Sequence, residues 1–429
     1  MKRIQTIAFM VFMSVLSWGA TRPVNPKADV WAEGLMDEVI LTPRVIACGD
    51  WTLPPIITLG TDETLEFSFD LLARPTVFTY RIEHCNSDWE KSDLLYSEYM
   101  DGFDNEPMDI GTVSQNTTFE YAHYSLIFPN ESNTPKVSGN YRLTVMEGRH
   151  PLVTYRFCIV EPGASVKARV TDVTDIDTRD SHQQVTASVE TDNLSCFDAM
   201  DELRLTVFQN MRFDNAARVV PPDFIKNGAV SWMHCKPLVF EAGNGFRRFE
   251  ITDVYANTMN VDRISYQEPY YHATLNTDSF RESFQYDSDH NGRFMVHSTQ
   301  TGVTDPDTEA DYVFVHFELE SDPLEGGAPY IFFLYDGAGF SSRQKMQYRG
   351  VKPHCYEAVI PMKMGAYDYQ YLWVPNGKST GETGKIEGNW HTTPNEYLLL
   401  LYQRRPGDQY DRLVGYSTVK GLSEEYPGI

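Results

Sequence analysis

A histidine and a cysteine, His84 and Cys85, stand side by side and are the first residues to consider as a catalytic pair. A cysteine thiol becomes a nucleophile when a neighbouring imidazole accepts its proton. The surrounding residues alternate between polar and apolar side chains, which predicts a β-strand. Neighbours on a strand project to opposite faces of the sheet, so the two groups would not meet. We therefore predict structural roles for both side chains.

A second candidate resembles the first half of a calcium-binding loop. Asp287, Asp289 and Asn291 place side-chain oxygens at positions one, three and five, and Gly292 stands at position six, where such a loop turns. The bidentate acid expected at position twelve is missing, because Ser298 stands there. An Asn-Gly hairpin turn explains the same residues without a metal. We predict no metal site, with the three oxygen-bearing residues as the best candidate for one.

Other catalytic signatures are absent from the sequence. It contains no Gly-x-Ser-x-Gly elbow, no His-Glu-x-x-His zinc motif, no Walker loop and no dinucleotide-binding fingerprint. Glu318 and Glu320 could be imagined as glycosidase carboxylates, but 60 acidic residues make chance pairs common. We therefore expect no catalytic residues, no cofactor and no enzymatic activity.

An aromatic stripe offers the one candidate site for a carbohydrate. Tyr367, Tyr369, Tyr371 and Trp373 alternate along a predicted strand and so share one face. On an open face, the flat rings could stack against sugar rings. If a neighbouring element covers that face, the same rings form part of a core. Both alternatives stay open at this point, and the covered face is the one that we expect.

The N-terminus predicts export from the cytoplasm. Lys2 and Arg3 precede an apolar run that ends near Leu16, and small residues follow at the expected cleavage position. This order is typical of a secretory signal peptide, which we assign to residues 1–20. The mature protein would then reside in the periplasm.

The composition excludes two classes of partner. Acidic residues outnumber basic ones by 60 to 36, and the formal net charge is −24. Phosphate backbones and anionic lipid surfaces would repel such a protein, so we expect no nucleic-acid partner. No later stretch approaches roughly 18 consecutive apolar residues, so we also expect no direct membrane insertion. The six cysteines form no Cys-x-x-Cys pair, which indicates neither zinc nor redox chemistry, and we expect at most one or two disulfides.

Short alternating runs with frequent turn signals, and no long helical periodicity, predict an all-β chain of tandem β-sandwich, immunoglobulin-like domains. Aromatic residues make up 13% of the chain and favour strands. Turn-rich segments separate a lead-in at 21–44, a first sandwich at 45–161 and a second at 162–300. A C-terminal immunoglobulin-like sandwich would follow at 301–429, opening with the clearest strand, 312–319.

Several short sequence motifs are not explained by the amino-acid composition. In chain order they are 84–89, 115–118, 121–124, 128–130, 138–141, 209–212, 243–247 and 395–397. Their order and spacing resemble the plug protein of the type IX secretion system of Bacteroidota. Gly245 stands where the family string is expected to carry an acid, so no role of that side chain is carried over.

The resemblance implies a non-catalytic periplasmic protein that docks on the outer-membrane translocon barrel and plugs its pore when no substrate is engaged. The residues that would contact the barrel are not identified by it. The last predicted domain is also similar to glycogen-binding-type modules, at 330–337 and 365–369, although their tryptophan-bearing sugar site is not evident. The alternative function is therefore a periplasmic or surface glycan-binding β-sandwich protein.

Overall fold

A computed structural model describes residues 32–33, 39–172, 174–191, 194–226, 228–285, 288–334, 340–350 and 354–421. Within these ranges the regular secondary structure is almost entirely β-strand, as the sequence predicts. None of the described helices is long and apolar enough to cross a membrane. The predicted signal peptide lies outside the described residues.

The first unit, residues 32–33 and 40–160, is a sandwich of two sheets that are antiparallel except for the parallel pair β3 and β12. Its elements are β1 (Ala32–Glu33), β2 (Ile40–Ala47), β3 (Ile56–Thr58), β4 (Leu65–Leu71), β5 (Thr79–Cys85), α1 (Tyr96–Tyr99), β6 (Met100–Gly102), β7 (Glu106–Pro107), β8 (Thr112–Val113), β9 (Ala122–Phe128), β10 (Asn133–Pro135), β11 (Gly139–Glu147) and β12 (His150–Val160). The larger sheet has the order β1-β12-β11-β5-β7, with β3 beside β12, and the smaller has the order β2-β4-β9-β8. β6 and β10 form a separate two-stranded ladder.

Alternating aromatic residues of both sheets meet in the core of this first unit. Phe67 and Phe69 on β4 point inward, and the Phe67 ring lies 5.3 Å from the rings of both Tyr155 and Phe157 on β12. This is the period-two pattern that predicts a strand with one buried face. The other face of β4 is buried as well, because Ser68 and Asp70 are almost completely inaccessible. Another part of the chain must therefore cover it.

The elements of the second and third units follow in chain order. They are β13 (Val166–Thr171), β14 (His182–Glu190), α2 (Ala199–Glu202), β15 (Leu203–Gln209), β16 (Ala217–Val220), β17 (Phe224–Lys226), β18 (Ala229–Trp232), β19 (Val239–Glu241), β20 (Arg247–Ile251), β21 (Val261–Gln267), β22 (Tyr270–Leu275), β23 (Phe294–Val296), α3 (Pro306–Glu309), β24 (Tyr312–Glu320), β25 (Gly327–Phe332), β26 (Gln347–Arg349), β27 (Cys355–Lys363), β28 (Gly365–Pro375), β29 (Glu396–Gln403) and β30 (Arg412–Lys420). A short 3₁₀-helix, Lys236–Leu238, precedes β19.

The second unit is built from two separate parts of the chain. One sheet has the order β13-β14-β18-β17, and β19 pairs with β14. The other has the order β16-β15-β29-β30, so the last two described strands return to complete it. The third unit, residues 247–387, lies between these parts and contains the sheets β20-β28-β23, with β25 beside β28, and β21-β22-β24-β27-β26.

This pairing differs from the predicted division into 162–300 and 301–429. The strands β20–β23 pair within the third unit, and β29 and β30 belong to the second. The reason lies in β29, which is buried on both faces. Leu399 and Leu401 join the core of the second unit, whereas Leu398 and Leu400 pack in a cluster with residues of the first unit. A strand covered on both faces is continuously apolar and does not reveal its sheet partners.

Candidate functional site

The adjacent pair on β5 is buried and has structural contacts. The Nδ1 atom of His84 lies 2.8 Å from the Ser92 hydroxyl, and Nε2 lies 3.0 Å from the carbonyl oxygen of Ser138. Burial lowers the pKa of His84 to about 4 and raises the pKa of Cys85 to about 11. A neutral thiol beside an imidazole already committed to two partners is not an activated nucleophile. All six cysteines lie in the described residues and are free thiols.

The buried imidazole of His84 should make folding stability depend on pH. The unfolded histidine takes up a proton near pH 6.5, whereas the folded one resists it until about pH 4. The contribution of His84 to the free energy of unfolding is therefore complete above pH 6.5. It is lost as the pH falls towards 4, which lowers the free energy of unfolding by about 3 kcal/mol. We expect His84→Gln to lose less stability than the wild type between pH 7 and pH 4 in urea unfolding. His150→Gln, at an exposed position, is the control, and equal losses in all three proteins would contradict the assignment.

The calcium-like segment is described only from residue 288 onward, so Asp287 lies outside the described residues. The Asp289 carboxylate accepts hydrogen bonds from the backbone N–H groups of Asn291 (3.0 Å) and Phe246 (2.8 Å). Asn291 and Gly292 have φ values of 55° and 87°, as the central residues of a type I′ turn require. Within the described ranges, no three His, Cys, Asp or Glu side chains are grouped so that they could hold a metal ion. The absence of a metal at this turn stays a prediction.

The aromatic stripe on β28 lies inside the third unit. Tyr367, Tyr369, Tyr371 and Trp373 are all buried. The hydroxyl groups of Tyr369 and Tyr371 both donate to the Asp278 carboxylate, at 2.8 and 2.7 Å. Buried tyrosines need such a hydrogen-bond acceptor, and here it comes from a distant loop. The stripe therefore forms part of a core and offers no open platform to a sugar.

Asp278 belongs to a larger buried polar cluster that the sequence did not reveal. Arg247 on β20 donates to Asp278 at 2.6 Å and to both oxygens of Glu387, at 3.0 Å in each case. The guanidinium also lies 5.2 Å from the centre of the Tyr371 ring. Burial alone would lower the pKa of Arg247, but the two carboxylates raise it. Sequence separations of 31 and 140 residues leave no local pattern that could have predicted these contacts.

A second buried cluster joins the first unit to the third. The Asp70 carboxylate on β4 binds Lys363 (2.7 Å), accepts a hydrogen bond from the Tyr312 hydroxyl (2.6 Å) and contacts His123 (2.7 Å). Asp70 and Lys363 are each only 1% exposed. Burial alone would raise the pKa of Asp70, but Lys363 and His123 together hold it below its ordinary value. This cluster explains why the outer face of β4 carries buried polar residues.

The first unit also contacts the second. Arg156 on β12 lies over the rings of Trp89 and Phe213, at 5.3 and 5.0 Å from their centres. The Tyr402 hydroxyl on β29 donates to the side-chain oxygen of Asn140 at 2.7 Å. Aromatic, cationic and hydrogen-bonding contacts therefore combine across this interface.

The second and third units contact each other as well. Arg293 binds Glu396 at 2.5 Å, and both side chains are mostly buried. Arg212 donates to the carbonyl oxygen of Gly381 at 2.8 Å. Each of the three units is thus joined to both of the others by directional polar contacts. The three units therefore form one joined body rather than a row of independent domains.

The first unit matches a family of secretion-system proteins. The family model described as the type 9 secretion system plug protein 1st domain matches residues 40–161, which cover the first unit except for β1. This match places the first unit in the type IX secretion system plug protein family. That family is a structural component of the secretion system, so the match associates the protein with the secretion machinery.

The fold is shared with a known structure. A hypothetical protein from Parabacteroides merdae is 38% identical, with a TM-score of 0.87 over 92% of this chain and 100% of that chain. Two others resemble the chain too little to support any argument. They are an alkylpurine DNA glycosylase of Pseudomonas fluorescens (13% identity, 30% of each chain, TM-score 0.17) and dimeric latent PorU of Porphyromonas gingivalis (11% identity, 89% of this chain and 34% of that chain, TM-score 0.14). No curated protein matches the chain.

Proposed function

We propose that this protein docks on the periplasmic mouth of the type IX outer-membrane translocon barrel and closes its pore when no substrate is engaged. The observation that carries the proposal is the joining of three β-sandwich units through buried polar clusters. A pore plug must cover a wide opening without changing shape. Buried ion pairs such as Asp70–Lys363 support that property, because their hydrogen bonds are satisfied in only one relative orientation of the units.

The charge of the protein supports a protein partner rather than a lipid surface. A net charge of −24 keeps the body soluble and repels it from anionic membranes. Association with the outer membrane would then depend on contacts with the translocon itself.

The alternative function, glycan binding, would require an open aromatic face, and the structure does not provide one on the aromatic stripe. Its sequence basis was the similarity to glycogen-binding-type modules together with the stripe of Tyr367, Tyr369, Tyr371 and Trp373. The four side chains of the stripe are buried, so they cannot stack against a sugar. The hydroxyl groups of the three tyrosines are engaged in hydrogen bonds inside the third unit. We therefore keep the plug as the single proposed function.

Deletion of the gene tests the proposal. An open translocon pore should make the envelope permeable to large antibiotics, so we expect the single deletion strain to be more sensitive than the wild type. Deleting the translocon barrel as well should restore resistance, because the pore is then gone. The measurement is the minimal inhibitory concentration of a large antibiotic in the wild type, both single deletions and the double deletion. A single deletion that is no more sensitive than the wild type would rule out the plug function.

A further inference from the structure

An edge of the first unit carries an unusual segment, residues 100–113, which we call the edge strip. It runs from β6 through β7 to β8. β7 is the last strand of the larger sheet, and β8 is the last strand of the smaller one. The edge strip therefore crosses the open side of the sandwich from one sheet to the other.

The edge strip exposes large apolar side chains to solvent. Phe103 is 77% exposed and Ile110 is 63% exposed, and Val113 is also exposed. Leu95 and Val77, which lie on neighbouring segments, are exposed as well. Exposed apolar side chains that recur within one short stretch are typical of a surface that binds another protein.

The backbone that carries these side chains is held in place. The carbonyl oxygen of Phe103 accepts hydrogen bonds from the Tyr96 hydroxyl (2.8 Å) and from the Asn133 amide (3.0 Å). Met108 is buried in the core, and its N–H donates to the carbonyl oxygen of Phe78 at 2.9 Å. The Phe103 and Ile110 side chains thus project from an ordered segment. Binding through such a segment loses less conformational entropy than binding through a loose loop.

The charge around the edge strip defines the partner that would fit it. Residues 92–135 contain no lysine or arginine, and their acidic residues are Asp93, Glu98, Asp101, Asp104, Glu106, Asp109, Glu120 and Glu131. Arg81 on β5 binds one of them, Asp104, at 2.8 Å. The other acidic residues place negative charges near the exposed apolar side chains of the edge strip. The complementary surface is basic and contains apolar pockets.

We propose that the edge strip is the docking surface for the translocon barrel, and that it binds a basic, apolar-pocketed rim at the periplasmic mouth. This inference rests on the proposed function, because it takes the barrel as the partner. Phe103 and Ile110 would provide the apolar contacts. Asp101 and Asp109 would speed association through long-range attraction.

The apolar contacts can be tested with a matched pair of double variants. We expect Phe103→Ser/Ile110→Ser to weaken binding to the purified translocon barrel in detergent by roughly thirtyfold or more, as is typical of central apolar residues in interfaces. Phe197→Ser/Ile176→Ser is the control, because these side chains on the second unit are 100% and 89% exposed. The control should bind like the wild type, and thermal unfolding should show that all the proteins remain folded.

The charged residues give a second, independent measurement. Asp101→Asn/Asp109→Asn should slow association and make the affinity less sensitive to salt, because screening acts on the charges that were removed. Asp175→Asn/Asp177→Asn removes two exposed acids from the second unit and should leave both quantities unchanged. These variants retain the apolar residues, so they keep the test decisive if the serine variant fails to fold.

The outcomes separate the two proposals. If the wild-type protein does not bind the barrel, the proposed function fails and the inference about the edge strip fails with it. If the wild type binds and the edge-strip variants bind equally well, the edge strip is not the docking surface, whereas plugging through another surface stands. If the control variants weaken binding as much as the edge-strip variants do, the inference is likewise wrong.

Discussion

Replacing Lys363 with methionine should lower the free energy of unfolding by about 3–5 kcal/mol, because the change leaves the Asp70 carboxylate charged and buried without its main partner. Both side chains are 1% exposed, so water cannot replace the lost ammonium group. Tyr312 and His123 would remain as hydrogen-bond partners of the carboxylate. Denaturant unfolding followed by circular dichroism measures the effect.

An exposed ion pair provides the control for this experiment. Lys167 and Glu190 lie 2.5 Å apart, but their side chains are largely exposed. Lys167→Met should leave the midpoint of unfolding essentially unchanged, because solvent and salt screen exposed pairs. A double variant, Lys363→Met with Asp70→Leu, should recover part of the lost stability, since it removes the unpaired charge. If Lys363→Met and Lys167→Met behave alike, the cluster does not hold the units together as described.

The same variant bears on the proposed plug. Lys363 lies on β27 of the third unit and Asp70 on β4 of the first. Loss of their contact should allow these units to unfold separately, so a single transition should become two. A body that separates in this way should also close the translocon pore less completely, which the antibiotic assay would report in a strain that carries the variant.

The second large effect is expected at Arg247. Arg247→Met should also lower the free energy of unfolding by about 3–5 kcal/mol, because Glu387 is completely buried and Asp278 is mostly buried. Asp278 would keep the hydroxyl groups of Tyr369 and Tyr371. Glu387 would lose its bidentate partner and keep the longer ion pair with Arg281, at 3.6 Å. Because all these contacts lie within the third unit, this variant should not split the unfolding transition.

Arg81→Met is the matched control for that variant. Arg81 also contacts a carboxylate through two nitrogens, at 3.2 and 2.8 Å from the oxygens of Asp104, but on the surface. Its removal should change the stability little, because the exposed pair is screened by solvent. If Arg247→Met lowers the free energy of unfolding no more than Arg81→Met does, burial of the cluster contributes nothing to stability.

Local patterns were sufficient to predict the class of fold. The alternation at 312–319 predicted the clearest strand of the chain, and the structure contains that strand as β24. The order of short strings along the chain was enough to indicate the plug family, which the match at 40–161 confirms. The placement of His84 and Cys85 on a strand argued against a catalytic pair, and both are buried on β5 with structural contacts.

Strand pairing and the covering of faces, by contrast, were decided only in three dimensions. The sequence by itself determined which residues alternate along a strand, and so which of them share a face. It did not determine that β29 and β30 return to the second unit, nor that β28 turns its tyrosines towards Asp278. The physical reason is that alternation is a local property, whereas the partner of a face comes from elsewhere in the chain. Asp70 lies 293 residues from Lys363, and no period in the sequence spans that distance.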